Sequence, residues 1–215
     1  MNLEEILKAT ILRETPRGHQ KSIGPSEIMG CQRKVWLHLH DAPKVNKDRI
    51  RLKSWLGTAI HHYLEYQLSS DDPFDERWML EVEVEHQGLI GHVDVYDKKN
   101  LEVIDWKSTE KKNLGRFPSS QQRTQVQLYG WLLTNNGYQV ENVSLVCIPR
   151  DGTEFDIKVH TEPYSEAIAL DGLAWLSKIV DMVEAPLPGM PAKTFCSRYC
   201  EFYDVTGDVG CEGKR

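Results

Sequence analysis

The stretch Gly91-His92-Val93-Asp94, followed after a polar gap by Ile104-Asp105-Trp106-Lys107, constrains this chain more than any other. Leu89 to Tyr96 is rich in Leu, Ile, Val and Tyr, Asp97-Lys98-Lys99-Asn100 is turn material, and Leu101 to Lys107 alternates in polarity. The pattern predicts a tight β-hairpin with Leu101, Val103, Asp105 and Lys107 on one face and Glu102, Ile104 and Trp106 on the other. A four-residue loop that closes Tyr96 opposite Leu101 sets Asp94 opposite Val103 and His92 opposite Asp105. Asp94, Asp105 and Lys107 then share a face, with the two aspartates as diagonal neighbours roughly 7–8 Å apart. A slip of one residue would turn Asp94 to the other face. Aspartate is depleted in strands, and a buried carboxylate is costly unless paired or metal-bound. Two carboxylates and a lysine in otherwise apolar strands therefore read as a metal site. A solvated hairpin with ordinary surface charges is the competing reading.

The rest of the composition sets bounds. A chain of 215 residues, 40% hydrophobic and 27% charged, suits one large domain or one domain with an appendage, and a normal soluble core. No apolar run is long enough to span a membrane. The start, Met1-Asn2-Leu3-Glu4-Glu5, is acidic and amphipathic, unlike a signal peptide. A cytoplasmic, reducing setting is expected, where cysteines more often bind metal or do chemistry than form disulfides. The net charge of −6 argues mildly against a nucleic-acid partner, although acid gathered at a metal site makes it a blunt index. Two basic clusters stand out: Lys47, Arg49, Arg51 and Lys53, and then Lys107, Lys111, Lys112, Arg116 and Arg123. Each reads as a set of phosphate contacts or as a solvated face.

Helices are expected at 3–13, from Pro25-Ser26-Glu27 to about His40, and from about Ile50 to Leu68, where Leu52, Leu56, Ile60, Tyr63 and Leu64 recur at helical spacing. Thr15-Pro16-Arg17-Gly18 and Ser69-Ser70-Asp71-Asp72-Pro73 read as breaks. Three strands follow at about 79–87, 89–96 and 101–107, with Gly88 as a turn signal. A helix at 119–134, strands at 138–149 and 153–160 and a helix from Pro163 to about Glu184 complete the pattern. Pro186 to Pro191 reads as a linker, and 194–215 as a cysteine-rich tail without period. The order from residue 50, αβββαβ, predicts an α/β fold with a central mixed sheet flanked by helices.

Gly57 and His61 are four apart, on one helical face, where an imidazole can complete a coordination shell begun by carboxylates. Gln125 and Tyr129 are likewise four apart and can present an amide and a phenol to a phosphate or a nucleophilic water; Tyr129 packing with Leu132 and Leu133 is the plainer alternative. The chemistry fits a phosphodiester. Divalent ions held by Asp94 and Asp105 neutralise charge and activate water, and Lys107 orients that water or stabilises the pentacovalent state. Oxygen-rich ligation favours Mg²⁺ or Mn²⁺. Cys147 lies in an apolar strand and reads as a core thiol. The other four, Cys31, Cys196, Cys200 and Cys211, match the count for a tetrathiolate site. Zinc and a [4Fe–4S] cluster both use four cysteines, and spacing does not separate them.

Together these residues resemble the PD-(D/E)xK nuclease superfamily, above all its RecB-like exonuclease branch, with the CRISPR-associated, AddB-like and phage exonucleases. The resemblance runs from Ser26 to Cys211 on Gly57-x3-His61, Gly91-His92-Val93-Asp94, Asp105-Trp106-Lys107, Gln125-x3-Tyr129 and one early cysteine with three late ones. It implies a restriction-endonuclease-like core whose N- and C-terminal segments join at a four-cysteine metal site. One nuclease domain over 1–215 is expected: 1–49 helical with Cys31, 50–160 catalytic, 161–193 helix and linker, and 194–215 the tail. His61, Asp94, Asp105 and the backbone carbonyl of Trp106 look like metal ligands, Lys107 like the catalytic lysine, and Gln125 and Tyr129 like the helix motif near the scissile phosphate. Cys31, Cys196, Cys200 and Cys211 look like structural [4Fe–4S] ligands; their gaps of three and ten are wider than the family's usual spacing, so zinc stays open. Lys111, Lys112, Arg116 and Arg123 look like substrate contacts. The implied activity is a Mg²⁺- or Mn²⁺-dependent DNA exonuclease on single-stranded ends, in recombination, repair or phage DNA metabolism, in the host cytoplasm if phage-encoded. A structure-specific endonuclease and a non-catalytic subunit of a CRISPR adaptation or recombination complex are the alternatives. No Gly-x4-Gly-Lys-Ser/Thr appears, so unwinding would fall to a helicase or recombination partner.

Overall fold

A computed structural model describes residues 2–12, 23–47, 49–71, 74, 76–189 and 193–213, the last segment's first two residues by backbone alone. The expected break at 15–18 and parts of the expected loop at 69–73 and linker at 186–191 lie outside them. The chain divides into two compact units, Met1–Ile23 with Gly30–Thr58 and Ile179–Arg215, and Gly24–Met29 with Ala59–Lys178.

The larger unit holds the sheet. Helix α3 (Leu52–Asp71) leads into β1 (Trp78–His86), β2 (Leu89–Asp97) and β3 (Glu102–Thr109); helix α4 (Ser120–Asn135) then leads to β4 (Asn142–Pro149) and β5 (Lys158–Pro163). The strands lie in sequence order, antiparallel except for the β3–β4 pair, which is parallel. A parallel pair needs a crossover, and α4 supplies it. Gln87 (φ 51°) and Gly88 (φ 80°) close the β1–β2 hairpin in the left-handed region that a two-residue turn requires. Ser119 caps α4, accepting from Gln122 N while Gln122 reaches back to the cap. Ten successive α4 residues, Thr124 to Leu133, are buried, and the helix packs on β1 to β4. Gly91 admits it: a Cβ there would sit 2.7 Å from Leu132 Cδ1 and 3.1 Å from the Tyr129 ring.

The β2–β3 register differs from expectation by two residues. The loop is four residues long as predicted, but it runs from Lys98 to Leu101 and closes Asp97 opposite Glu102. The buried Asp97 carboxylate accepts from the Lys99 and Asn100 backbone N–H groups and from Arg77, which keeps Asp97 in the ladder. Leu101 takes φ 51° in the turn, where its side chain suggested a strand. A two-residue displacement preserves the faces. Continued one pair past the ladder's last, Val95–Ile104, this register sets Asp94 opposite Asp105 instead of diagonal to it. The β5 strand begins at Lys158, because Glu154–Asp156 forms a 3-10 turn held by the Asp156 carboxylate.

The smaller unit contains α1 (Leu3–Leu12), α2 (Gln32–Leu39) and α6 (Lys193–Tyr199), the last a helix where no period was evident. The expected helix from 25 to 40 is broken: Pro25–Glu27 is a 3-10 turn, Met29 takes φ 61°, and α2 restarts with Cys31 as its N-cap. Early and late segments are joined by hydrogen bonds from Trp36 Nε1 to Met182 O, from Asn46 Nδ2 to Ser197 O and Cys200 O, and from Ile50 N to Arg198 O. Leu37, Phe202 and Cys211 form a small core with Trp36, Ala42 and Cys200 packed against it. The remaining helix, α5 (Glu166–Val180), follows β5.

Candidate active site

Three neighbouring strands and two helices bring the acidic groups together. In β1, pairing with β2 skips Glu81 and Asp94 while the register on either side is unchanged. Glu81 has φ 49°, so the backbone is twisted at this one position. Its carboxylate joins His61 of α3 and Asp94 of β2, with one ligand atom from each lying within 4.8 Å of the others. His61 Nδ1 is 3.5 Å from Asp94 Oδ1. The other Asp94 oxygen accepts the Trp106 backbone N–H at 2.8 Å. This bond lies just past the last β2–β3 ladder pair, Val95–Ile104. In a strand the carbonyl of a residue points to the same edge as its N–H, so the Trp106 carbonyl also faces the Asp94 side.

Asp105 lies beside this triad rather than in it. It is 1% exposed. Its Oδ1 accepts Gln125 Nε2 at 3.2 Å, and Gln125 also donates to Tyr129 Oη at 3.0 Å. Its Oδ2 lies 2.5 Å from Lys107 Nζ yet makes no well-directed hydrogen bond. Burial pushes the Asp105 carboxyl up to about 6; the Lys107 charge opposes that rise and Asp94 adds to it. Burial lowers the His61 imidazole, but the hydrogen bond and charge of Asp94, with Asp105, outweigh it and leave the group above its ordinary value. Burial, and then the charges of Asp105 and Asp94, raise the Tyr129 phenol far above its ordinary value, so it stays neutral.

The donor set fits a divalent cation. It has several carboxylate oxygens and one imidazole, with the buried Asp105–Lys107 ion pair beside them. His61, Asp94, Asp105, Lys107, Gln125 and Tyr129 are thus gathered as the sequence suggests. Glu81 was missed. It sits in the alternation Glu81-Val82-Glu83-Val84-Glu85, which reads as a solvated strand face, and only its dihedral sets it apart.

The expected substrate contacts are dispersed. Lys111 pairs with Asp156 at 2.8 Å, Lys112 with Glu110 at 2.6 Å, and Arg123 with Glu162 at 2.7 Å; Arg116 is exposed. In the other basic cluster Arg49 lies 3.8 Å from Glu201.

The four cysteines share the smaller unit but are not gathered to ligand spacing. Among the described residues, only His61, Glu81 and Asp94 meet that spacing. A four-thiolate site is thus not shown among the described residues. Gly189 N donates to Cys31 Sγ and Gly213 N to Cys211 Sγ, each at 3.4 Å. Burial raises the Cys200 thiol to about 11; the Phe202 backbone opposes the rise, and Cys196 and Cys31 add to it.

A family model described as the PD-(D/E)XK nuclease superfamily matches residues 10–205. The crystal structure of SSO0001 is 20% identical, with a TM-score of 0.57, over 94% of this chain and 95% of that one. That of an alkaline exonuclease, LHK-Exo from Laribacter hongkongensis, is 10% identical, with a TM-score of 0.52, over 76% of this chain and 88% of that one. At these identities the likeness is one of fold. No curated protein matches the chain.

Proposed function

We propose, because the chain belongs to the PD-(D/E)XK nuclease superfamily, that it is a metal-dependent DNA exonuclease acting on single-stranded ends. The observation that carries the reading is the acidic triad His61, Glu81 and Asp94 beside the buried Asp105–Lys107 pair. His61, Glu81, Asp94, Asp105 and the Trp106 carbonyl would hold Mg²⁺ or Mn²⁺. When bound, the ion supplies charge neutralisation at the scissile phosphate and a more acidic water. Lys107 places its ammonium where negative charge grows during attack, in a site with little competing water. Gln125 holds Asp105 in place through Oδ1 and is itself braced by Tyr129, so these two act by positioning. Arg116, and with less free charge Lys111, Lys112 and Arg123, would steer the strand.

In the smaller unit, Cys31, Cys196, Cys200 and Cys211 would hold a structural [4Fe–4S] cluster, with zinc as the alternative. Backbone N–H groups donate to the Cys31 and Cys211 sulfurs, and the small core leaves room for metal to add folding free energy. Recombination, repair or phage DNA metabolism, in the cytoplasm and with a helicase or recombination partner, is the setting that fits. No described helix is long and apolar enough to cross a membrane.

The test uses end-labelled single- and double-stranded DNA and closed circular single strands with Mg²⁺ or Mn²⁺. Linear single strands are degraded and circles survive; cut circles would make the enzyme an endonuclease. Asp105→Ala and Lys107→Ala each lose roughly 10²–10³-fold in rate, as when a preorganised donor is removed. Unchanged cleavage in both would refute the site, and a wild-type protein that binds DNA without cutting it would make it a non-catalytic subunit.

A further inference from the structure

The sheet register places two lysines in one row. Lys107 of β3 pairs with Cys147 of β4, and Cys147 pairs with Lys158 of β5. Paired residues share a face, so Lys158 lies two strand spacings from Lys107, roughly 9–10 Å at the backbone. The residue between them is a buried, uncharged thiol. Burial raises that thiol, and the charges of Arg150, Lys158 and Lys107 oppose the rise. Arg150 donates to Ser108 Oγ at 2.9 Å, and Ser108 stands on the opposite sheet face from Lys107.

Lys158 differs from three of the four basic residues expected to contact substrate. Lys111, Lys112 and Arg123 are each paired with a carboxylate. Lys158 is exposed, and its ammonium donates to a neutral group, the Leu114 carbonyl, at 3.1 Å. A carbonyl orients an ammonium without cancelling its charge. The group is held, charged and open to solvent, in register with the catalytic lysine.

We propose that Lys158 binds the phosphate next to the scissile one and so guides a single DNA strand across the sheet towards Lys107. The proposal rests on the nuclease reading above. Lys158→Gln removes the charge but keeps a donor for the Leu114 carbonyl. Lys99→Gln, in the loop at the other end of β3, makes the same change in net charge. Each is titrated by fluorescence anisotropy with a labelled single-stranded oligonucleotide in EDTA over a salt series, so that binding is read without turnover. Lys158→Gln is expected to weaken binding roughly three- to fivefold, the scale of an exposed charge pair. The slope of log affinity against log salt should become shallower by about 0.7, one single-strand phosphate contact. Lys99→Gln should match wild type, and in cleavage assays KM should rise more than kcat falls in Lys158→Gln. Wild-type affinity and slope in Lys158→Gln would overturn the subsite, as would an equal loss in Lys99→Gln or a loss explained by a lower melting temperature with an unchanged slope. If wild type cleaves but Lys158→Gln binds normally, only the subsite falls. If wild type neither binds nor cleaves, the nuclease reading falls first.

Discussion

At Glu81 the backbone adopts φ 49°, a conformation costing a non-glycine residue about 1–3 kcal/mol. The neighbouring ladder over-determines it, since pairs on both sides keep one register. The result is a third ligand atom beside His61 and Asp94. Glu81→Gln keeps the shape and removes the charge. Its Mn²⁺ affinity, measured by calorimetry, should fall at least tenfold or so, no less than the usual effect of losing a residue that merely supports a ligand. Glu85→Gln, two alternations along the same strand, should bind as wild type does. Equal affinity in Glu81→Gln would remove that residue from the site.

At the scale of elements, the β2–β3 hairpin decides whether Asp94 and Asp105 meet. Asp97 sets its loop. Burial raises the Asp97 carboxyl, but the hydrogen bonds from Arg77, Asn100 and Lys99 outweigh it and hold the group below its ordinary value. A depressed folded pKa means the ionised form stabilises the fold above the unfolded value, and the gain is lost as pH falls through the folded one. Asp97→Asn should therefore lower stability at neutral pH by about 1.5–3 kcal/mol, as for hydrogen bonds to a charged group. In urea melts the gap from wild type should shrink as pH drops below the ordinary carboxylate value of about 3.9. A gap that stays constant with pH would assign the effect to packing. Loop length was legible from the polar run before Leu101, but its position was not. Side-chain polarity does not reveal that a buried aspartate satisfies the turn's N–H groups while a leucine turns left-handed. The helix expected over 25–40 fails for the same kind of reason, since Met29 and Gly30 interrupt a run whose composition is otherwise helical.

For the whole molecule, the two units rest on different physics. The sheet unit buries Val93, Val95, Val103, Leu128, Leu132, Leu133, Val143 and Leu145 almost completely. Among the described residues of the smaller unit, Leu37, Phe202 and Cys211 form a small buried cluster. If the proposed cluster is present, anaerobically purified protein is brown, with stoichiometric iron lost in Cys200→Ser, since thiolate-held metal supplies folding free energy. A colourless protein with stoichiometric zinc would replace the cluster by zinc, and a metal-free protein would remove the site.

The sequence alone determined the order of helices and strands from α3 to α5 and the hairpin, and it singled out His61, Asp94, Asp105, Lys107, Gln125 and Tyr129. These are carried by local periodicity and by residue types that are costly to bury without a role. The tertiary structure decided that Glu81 joins His61 and Asp94, that the β2–β3 register aligns Asp94 with Asp105, that Lys111, Lys112 and Arg123 pair with carboxylates, and that Lys158 is aligned with Lys107. Each of these depends on which residues become neighbours across strands. Strand neighbours are set by ladder register and by single backbone dihedrals, and neither leaves a period in the sequence.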